Sequence, residues 1–327
     1  MRAIQIREFG DNAELHPAEI PEPRPGEGEV LLQVKAAGVN YADILMRRGE
    51  YAGRLPLPYV PGFEAAGVIL ETGKKVNGWR PGQRVMGTAA RSRGGCYAEK
   101  AILPAGGLLA IPEGLAYQEA AAFPEAFLTA YLALHVNGRL AEGEQVLIHA
   151  AGGGVGTAAV QLARASGARI LATAGSEEKL RKVKALGADV VINYVAQDFL
   201  SAVQKETGGQ GVDLVLESVG GEVFDKSLKC LRPLGRLVTY GVTSGRVPSA
   251  NALDLIQRMI CVSGFSLGAL SVTHPGLVAE SLRGVGELLL RGKVRPVVGH
   301  TLPLVRAGEA HQLISSRSSF GKVVLLP

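Results

Sequence analysis

The stretch that decides the fold is Val146-Leu147-Ile148-His149-Ala150-Ala151-Gly152-Gly153-Gly154-Val155-Gly156. An apolar strand runs into a glycine-rich turn, and the turn opens a helix. Small residues in such a turn let the backbone approach a pyrophosphate, while the helix N-terminus supplies N–H donors and positive potential. A glycine turn without a ligand is the alternative, but the strand and helix on either side favour a dinucleotide site. The predicted cofactor contacts in this loop are Ala151, Gly153, Gly154, Val155 and Gly156.

Strands and helices alternate on both sides of this loop, from about Pro124 to Phe265. The predicted strands are 145–150, 169–174, 190–193, 212–217, 236–240 and 260–263. The predicted helices between them are 154–166, 177–186, 197–206 and 222–231. Six strands that alternate with helices predict an α/β domain with a Rossmann-type, doubly wound parallel sheet over residues 124–265.

The pattern is different before about Phe123. Short apolar segments are separated there by proline and glycine, which predicts an all-β domain built as a small, partly open barrel. The predicted strands are 30–36, 65–70, 83–88 and 97–103, with one short helix at 41–48. The tail, with a long helix at 275–291 and a final strand at 322–326, does not continue the alternation. We therefore assign residues 1–123 and 266–327 to this first domain.

Composition excludes several classes of protein. The 327 residues are 47% hydrophobic, so the chain can bury sizeable cores and disorder is not its main state. The net charge of +5 comes without any basic arm, which makes a nucleic-acid partner unlikely. No apolar run reaches the roughly 18 residues of a membrane span. The three cysteines are far apart, so they form neither a disulfide framework nor a metal motif, and we expect a cytoplasmic protein.

The end of the second strand of the parallel sheet indicates which cofactor binds. An NAD-selective site usually has an acidic residue there, which binds the adenosine ribose hydroxyl. This chain has Ala174-Gly175-Ser176 instead. Gly175 and Ser176 leave room for a 2′-phosphate, Lys179 can supply a positive charge, and Tyr194 can add a hydroxyl. The alternative is that Lys179 is an ordinary solvated helix residue. We predict NADPH as the cofactor.

The chain resembles the zeta-crystallin-type quinone oxidoreductases of the medium-chain dehydrogenase/reductase superfamily. The resemblance covers the whole chain and includes the His149-to-Gly156 loop. It also rests on Ala36-Ala37-Gly38-Val39-Asn40-Tyr41-Ala42-Asp43, Pro61-Gly62-Phe63-Glu64-Ala65-Ala66-Gly67-Val68, Lys184-Ala185-Leu186-Gly187-Ala188-Asp189, Asp213-Leu214-Val215-Leu216-Glu217-Ser218-Val219-Gly220 and Gly321-Lys322-Val323-Val324-Leu325. It implies a GroES-like first domain with the catalytic residues and a Rossmann domain that binds NADPH.

The resemblance also implies chemistry without a metal. Zinc-dependent relatives have a cysteine and a histidine where this sequence has Asn40 and Phe63, and neither an amide nor a phenyl ring replaces those ligands. Without a Lewis acid, the acceptor must already be electrophilic, as quinones and α,β-unsaturated carbonyls are. The sequence contains no evident general acid, so we expect the final proton to come from water.

By similarity, three residues form the catalytic site. Asn40 and Thr129 would face the nicotinamide, and Tyr51 would lie near the substrate entrance. Asn40 has an alternative role, as a cap of the helix that follows it. Further cofactor contacts are expected where the later strands end, and the resemblance adds one on the last strand. The set is Ser218, Gly220, Tyr240, Gly241, Ser244, Phe265 and Lys322.

The leading functional interpretation is an NADPH-dependent reductase of quinones or activated enones. A second is an enoyl-thioester reductase, which would need basic residues such as Arg47, Arg48 and Arg54 for a coenzyme A or carrier arm. A third is a non-catalytic NADPH-binding protein, either structural or RNA-binding. The resemblance also predicts a homodimer, joined through the apolar edge strand at 260–263.

Overall fold

The chain divides into two units. The structure is a computed structural model that describes residues 1–10, 15–51, 56–89 and 94–327. Unit 1 comprises Met1–Ala126, Leu282–Leu290 and Arg295–Pro327, and unit 2 comprises Phe127–Ser281 and Arg291–Val294. The prediction returned the chain to the first domain at residue 266, but unit 1 resumes only at Leu282. The sequence boundary was set at the end of the last parallel strand, whereas the segment after that strand stays with unit 2.

The elements of both units follow in chain order. The strands are β1 (Arg2–Ile6), β2 (Leu15–Glu19), β3 (Glu29–Val39), β4 (Glu64–Thr72), β5 (Arg84–Thr88), β6 (Lys100–Pro104), β7 (Leu108–Ala110), β8 (Gln145–Ile148), β9 (Arg169–Ala174), β10 (Val190–Asn193), β11 (Val212–Glu217), β12 (Leu231–Thr239), β13 (Cys261–Gly264), β14 (Val298–Pro303) and β15 (Lys322–Leu326). The helices are α1 (Tyr41–Arg48), α2 (Tyr117–Ala121), α3 (Pro124–Tyr131), α4 (Gly154–Ala165), α5 (Glu177–Leu186), α6 (Phe199–Glu206), α7 (Gly221–Lys229), α8 (Ala252–Arg258), α9 (Leu267–Thr273), α10 (Pro275–Leu290) and α11 (Ala307–Ser315). A π-helical segment, Leu132–Asn137, continues α3.

Unit 1 is built on a mostly antiparallel sheet in the order β14-β15-β3-β4-β5-β7, and β6 also pairs with β3. The long strand β3 is buried over most of its length, and its buried apolar residues include Val30, Leu32 and Val34. The final strand β15 pairs antiparallel with β3, with Val323 opposite Val39. The last strand of the chain therefore belongs to the β-rich unit, as its break from the alternating pattern predicted.

Unit 2 contains a six-stranded sheet in the order β10-β9-β8-β11-β12-β13. Every pairing in it is parallel. Strand β11 is buried at all six positions, as expected for a strand with both faces covered by helices. The order reverses between β8 and β11, and ligands bind at such switch points in doubly wound sheets. The predicted α/β fold class is confirmed.

The prediction was most accurate where the periodicity was strong. The helix Tyr41–Arg48 and the strands Arg169–Ala174, Val190–Asn193 and Val212–Glu217 agree with the structure to the residue. It missed the short elements β1, β2, β7, β14, α2, α3, α8, α9 and α11. These elements are short segments with weak apolar periodicity. Among the described residues, no helix is both long and apolar enough to cross a membrane.

Candidate functional site

The glycine-rich loop of unit 2 has the geometry that the sequence predicted. Strand β8 ends at Ile148, Ala150 adopts a left-handed φ of 49°, and helix α4 begins at Gly154. A Cβ on Gly156 would lie 2.3 Å from the Ala150 carbonyl oxygen, so only glycine allows the helix to approach the turn this closely. The first N–H groups of α4 have no capping side chain at Gly153. The loop is therefore suited to an anionic group.

His149, just before the loop, has a structural role. It is 2% exposed, and its Nδ1 and Nε2 lie 3.0 and 2.9 Å from the hydroxyls of Thr173 and Ser227. The Ser227 hydroxyl donates to the Val223 carbonyl, so it accepts a hydrogen bond from the imidazole Nε2. Burial lowers the pKa of His149 to about 3, which keeps the ring neutral. His149 thus fixes the base of the loop.

The remaining predicted cofactor residues of unit 2 lie at one edge of the sheet. Because all six strands are parallel, the residues that follow their carboxyl ends share that edge. These are Gly175 and Ser176 after β9, Tyr194 after β10, Ser218 and Gly220 after β11, Tyr240, Gly241 and Ser244 after β12, and Phe265 after β13. Backbone bonds tie these loops together, since Ser244 N–H donates to the Val219 carbonyl and Phe265 N–H to the Thr239 carbonyl, both at 2.9 Å.

The three residues predicted to bind the 2′-phosphate, Ser176, Lys179 and Tyr194, follow the ends of β9 and β10. Ser176 caps α5 by accepting a hydrogen bond from the Lys179 N–H at 3.3 Å, and the Tyr194 hydroxyl would lie 2.7 Å from a Cβ on Gly175. Partial burial lowers the pKa of the Lys179 ammonium.

The two acidic residues of the first turn of α5 have partners elsewhere. Glu178 pairs with Lys182 at 2.6 Å, and Glu177 accepts a hydrogen bond from the Asn193 amide at 2.6 Å. Both carboxylates are exposed surface groups with a local partner. They therefore do not contradict a phosphate site at Ser176, Lys179 and Tyr194.

Unit 1 contains a buried ion pair that the sequence analysis did not find. The Lys322 ammonium donates to Glu64 Oε1 at 2.6 Å, to Asn40 Oδ1 at 2.6 Å and to the Val39 carbonyl at 2.9 Å. Lys322 and Glu64 have side chains that are only 4% and 0% exposed. An ammonium has three donors, and all three are used here. Lys322 was predicted to contact the cofactor, but in unit 1 it holds Asn40 and Glu64.

The orientation of the Asn40 amide follows from these partners. Lysine can only donate and an ionised carboxylate can only accept, so Oδ1 faces Lys322 and Nδ2 faces Glu64 Oε1, 2.9 Å away. Asn40 is also the N-cap residue of α1, and the Asp43 carboxylate accepts its backbone N–H at 2.8 Å. Asn40 is thus the N-cap residue of α1, while its side-chain amide is held by Lys322 and Glu64. The second Nδ2–H has no partner in the described part of the chain.

Asp43 is the centre of a second buried group. Its side chain accepts hydrogen bonds from the Asn40 N–H, the Gly62 N–H at 3.1 Å and the Tyr97 hydroxyl at 3.2 Å. The Tyr97 hydroxyl also lies 3.2 Å from His311 Nε2. Burial raises the pKa of Asp43 to about 7 and lowers that of His311 to about 3. This buried hydrogen-bonded group stabilises the N-terminus of α1.

Glu125 is a further acidic residue that the sequence analysis missed. It lies in the first turn of α3, and its backbone N–H donates to Glu64 Oε2 at 2.8 Å. Burial and the nearby Glu64 carboxylate raise the pKa of Glu125 to about 8. Thr129, one of the predicted catalytic residues, follows one turn later on α3 and is 9% exposed. The sequence signal that could have located Glu125 is its place four residues before Thr129 on a helix.

The remaining catalytic candidate, Tyr51, contacts Phe63, which the resemblance places where zinc-dependent relatives have a histidine. The rings of Tyr51 and Phe63 meet edge to face with their centroids 5.6 Å apart. Phe63 is buried and directly precedes Glu64. In the described residues, no group of three or more histidine, cysteine, aspartate or glutamate side chains is placed to hold a metal ion. Unit 1 thus brings together Asn40 and Lys322, and also Tyr51 and Phe63.

The arginines considered for a coenzyme A arm differ in accessibility. Arg47 was a candidate, but it is 1% exposed and donates to the Gly10 carbonyl at 2.7 Å, so it cannot bind such an arm. It is buried because its position on α1 faces the interior of unit 1. Arg48 is half-buried, and Arg54 lies outside the described residues.

Comparisons with known proteins give the family. The "Alcohol dehydrogenase GroES-like domain" family matches residues 26–130, and the "Zinc-binding dehydrogenase" family matches residues 154–282. Human quinone oxidoreductase is 34% identical over 328 residues, which cover 100% of this chain and 98% of that protein.

Solved structures agree over the full chain. Escherichia coli quinone oxidoreductase complexed with NADPH is 31% identical, with a TM-score of 0.92 and 100% of both chains covered. An NAD-dependent alcohol dehydrogenase is 35% identical, also with a TM-score of 0.92 and 100% of both chains covered. The chain therefore belongs to the medium-chain dehydrogenase/reductase superfamily and is an oxidoreductase of its quinone oxidoreductase-like group.

Proposed function

We propose that the protein is an NADPH-dependent reductase that transfers a hydride to quinones or activated enones without a metal. The observation that carries the proposal is the Asn40 amide, which Lys322 and Glu64 hold in place and whose second N–H has no partner among the described residues. Such a fixed donor can stabilise an oxyanion that develops on a carbonyl as it accepts a hydride. Its relatives include named quinone oxidoreductases, one of them solved with NADPH.

The residues of unit 2 would hold the cofactor. The loop at Gly153 to Gly156 suits the pyrophosphate, and the N–H groups at the start of α4 would bind it. Ser176, Lys179 and Tyr194 would bind the 2′-phosphate, and their arrangement without an acidic residue at the end of β9 favours NADPH over NADH. NADPH supplies the hydride when bound.

The residues of unit 1 would prepare the acceptor. Lys322 and Glu64 fix the direction of the Asn40 amide before substrate binds, so no reorganisation is needed as charge develops. Tyr51, whose ring packs edge to face on the buried Phe63, offers an aromatic ring for a planar quinone or enone. Because the donor is a neutral amide, it suits acceptors that are already electrophilic and does not replace a Lewis acid for simple ketones.

The assay that tests this proposal follows NADPH oxidation with a panel of quinones, activated enones, enoyl thioesters and simple ketones. We expect turnover with the first two classes and little with ketones. A strong preference for enoyl thioesters would favour the second candidate activity, an enoyl-thioester reductase. Tight NADPH binding without turnover on any acceptor would identify a non-catalytic binding protein instead.

We also propose that the protein is a homodimer. Strand β13 is one of the two outer strands of the sheet in unit 2. The segment before it, α8 and its C-cap residue, exposes the apolar side chains of Leu253, Ile256 and Met259. Exposed edges and apolar patches of this kind are usually covered, and a second copy can add its own β13 across a two-fold axis. Light scattering at micromolar concentration should give twice the 34.2 kDa chain mass; a monomeric mass would refute the proposal.

A cytoplasmic location agrees with the cysteine chemistry. Cys96, Cys230 and Cys261 are all free thiols, and the first two are buried. Burial raises the pKa of Cys230 to about 12, so this thiol is unreactive. We therefore propose a reducing compartment, which localisation of the tagged protein by fluorescence would test.

A further inference from the structure

The Glu64 carboxylate holds both the Asn40 amide and the start of helix α3, each through a different oxygen. Its Oε1 accepts hydrogen bonds from the Asn40 amide at 2.9 Å and from Lys322 at 2.6 Å. Its Oε2 accepts the backbone N–H of Glu125 at 2.8 Å. The Asn40 amide and the first turn of α3 are therefore held against the same carboxylate.

The charges around this carboxylate do not balance if every acid is ionised. Among the described residues, Lys322 is the cation that acts on all three acids, Asp43, Glu64 and Glu125. The ammonium lies on Glu64, and the pKa of Glu125 rises to about 8 through burial, the Glu64 charge and, to a smaller extent, Asp43, while Lys322 opposes the rise. Like charges in one partly buried site cannot all ionise near neutral pH.

Hydrogen bonding distinguishes which acid holds a proton that can be transferred. Asp43 accepts bonds from two backbone N–H groups and from the Tyr97 hydroxyl, and it is fully buried. In the described part of the chain, the Glu125 carboxyl has no hydrogen-bond partner, and the residue is only half-buried. Of the three acids, Glu125 is thus the one with a partly exposed side chain, through which its proton can exchange with solvent.

We propose that Glu125 is the general acid that protonates the reduced acceptor. The proposal rests on the NADPH-dependent reductase activity proposed above. For an enone, hydride from NADPH forms the C–H bond at the β-carbon, the C=C π electrons move onto the carbonyl oxygen, and NADP⁺ remains. The resulting enolate then takes the proton of the Glu125 carboxyl at its α-carbon, which leaves a saturated ketone and a carboxylate that solvent reprotonates. The water-derived proton expected from the sequence is thereby replaced by an enzymatic one.

Quinones and enones should depend on this acid to different extents. A reduced quinone carries its negative charge on oxygen, and water protonates oxygen anions readily. An enolate must be protonated on carbon, which is slower and benefits from a positioned acid, an effect typically worth about 10²- to 10⁴-fold. Since the acid must be protonated, enone turnover should be constant below the Glu125 pKa of about 8 and should fall above it.

The test compares wild type with Glu125→Gln in the full-length protein. We measure turnover with one quinone and one activated enone across pH 6 to 10, the Kd for NADPH, and the face of deuterium incorporation at the α-carbon in heavy water. We expect Glu125→Gln to lower enone turnover about 100-fold or more at pH 7, to remove the decline above pH 8 and to lose facial selectivity. Quinone turnover and NADPH affinity should stay within a few-fold of wild type.

Two further variants keep the test decisive. Glu113→Gln removes an exposed carboxylate from the same unit and should match wild type in every measurement. Glu125→Asp keeps the acid but shortens it, so it should retain a decline at high pH with a reduced enone rate, even if Glu125→Gln fails to fold. A Glu125→Gln protein that keeps the high-pH decline and the facial selectivity would overturn the proposal. A wild type that oxidises NADPH with neither acceptor would instead show that the proposed function is wrong.

Discussion

The buried polar groups of the two units differ in charge: those beneath the loop of unit 2 are neutral, and those of unit 1 include an ion pair. In unit 2, His149 is neutral and is satisfied by the hydroxyls of Thr173 and Ser227 beneath a loop made of backbone and small residues. In unit 1, the Lys322–Glu64 pair is charged, almost fully buried and supported by the Asn40 amide. A cofactor shared by many enzymes can be bound by backbone groups. A reactive acceptor needs particular side chains, and their charges must be neutralised inside the protein.

The largest effect should come from breaking the ion pair in unit 1. Lys322→Met removes the only cation that contacts Glu64 in the described structure, which leaves a buried carboxylate uncompensated. Removing one partner of a buried pair costs about 3–5 kcal/mol, a large fraction of the stability of a typical domain. Denaturant unfolding followed by circular dichroism measures this loss.

The control for this experiment removes both charges. In Glu64→Gln/Lys322→Met, the glutamine oxygen can still accept the Glu125 N–H, and no unpaired charge remains. We expect the double variant to recover much of the loss, since well-packed neutral replacements of buried ion pairs are often tolerated. If the single variant is as stable as wild type, the ion pair is not what stabilises this part of unit 1.

The next effect separates the two roles of Asn40. Asn40→Ala should lower turnover about 10- to 1,000-fold, the range for loss of one oxyanion donor, and leave NADPH affinity within a few-fold. It should also lower the melting temperature, because the N-cap position and the partner of Lys322 are lost together.

Asn40→Ser is the matched variant for this prediction. Serine is a good N-cap residue but has no amide, so it should recover stability without recovering turnover. Steady-state kinetics and thermal melts on both variants decide the matter. Full activity in Asn40→Ser would mean that the residue serves only to cap α1.

The two units also differ in how much of them the sequence predicted. The cofactor edge of unit 2 could be located because each strand is followed within a few residues by its own loop, and a parallel sheet aligns those loops. The site in unit 1 joins Asn40 to Glu64, 24 residues away, and to Lys322, 282 residues away. No local pattern encodes such pairings. The resemblance gave Lys322 as a cofactor contact, which stays a prediction, while the sequence did not reveal that Glu64, Asp43 and Glu125 form a charged cluster beside it.

The elements missed in unit 1 have a related cause. Strands β1, β2 and β14 lie at the edges of their sheets, and their alternation of buried and exposed positions is short or irregular. Strands β1 and β2 pair with each other, and β14 pairs with β15, so each is ordered by one neighbouring strand. By contrast, the nearly continuous apolar runs of β8, β9 and β11 predict buried parallel strands from the local sequence alone.

A smaller effect tests the cofactor specificity assigned to unit 2. Lys179→Ala should weaken NADPH binding about 10- to 150-fold, the value of one charge-assisted contact, and leave NADH binding nearly unchanged. Lys182→Ala, one turn further along α5, is the control, because Lys182 pairs with Glu178 on the exposed face. Fluorescence titrations with both cofactors measure the four constants.

Comparing the affinities of the wild-type protein for NADPH and NADH tests the cofactor assignment more strictly than the variants do. It should bind NADPH more tightly than NADH because Ala174, Gly175 and Ser176, rather than an acidic residue, stand at the end of β9. Equal affinities for the two cofactors would contradict the assignment of Ser176, Lys179 and Tyr194 to a 2′-phosphate.

The last prediction is that removing metal ions does not change turnover. Turnover should be unaffected by prolonged dialysis against a chelator, and elemental analysis of active protein should find no stoichiometric zinc. The physical reason lies in the residues of unit 1. Asn40 and Phe63 stand where zinc-dependent relatives have ligands, and an amide or a phenyl ring does not bind zinc in their place. The Lys322 ammonium, 2.6 Å from both Asn40 Oδ1 and Glu64 Oε1, already neutralises the nearest carboxylate and would repel a dication. If chelation abolished turnover and added zinc restored it, the positive charge that matters to catalysis would be a metal's, and the role assigned here to the Lys322–Glu64–Asn40 clamp would have to be abandoned.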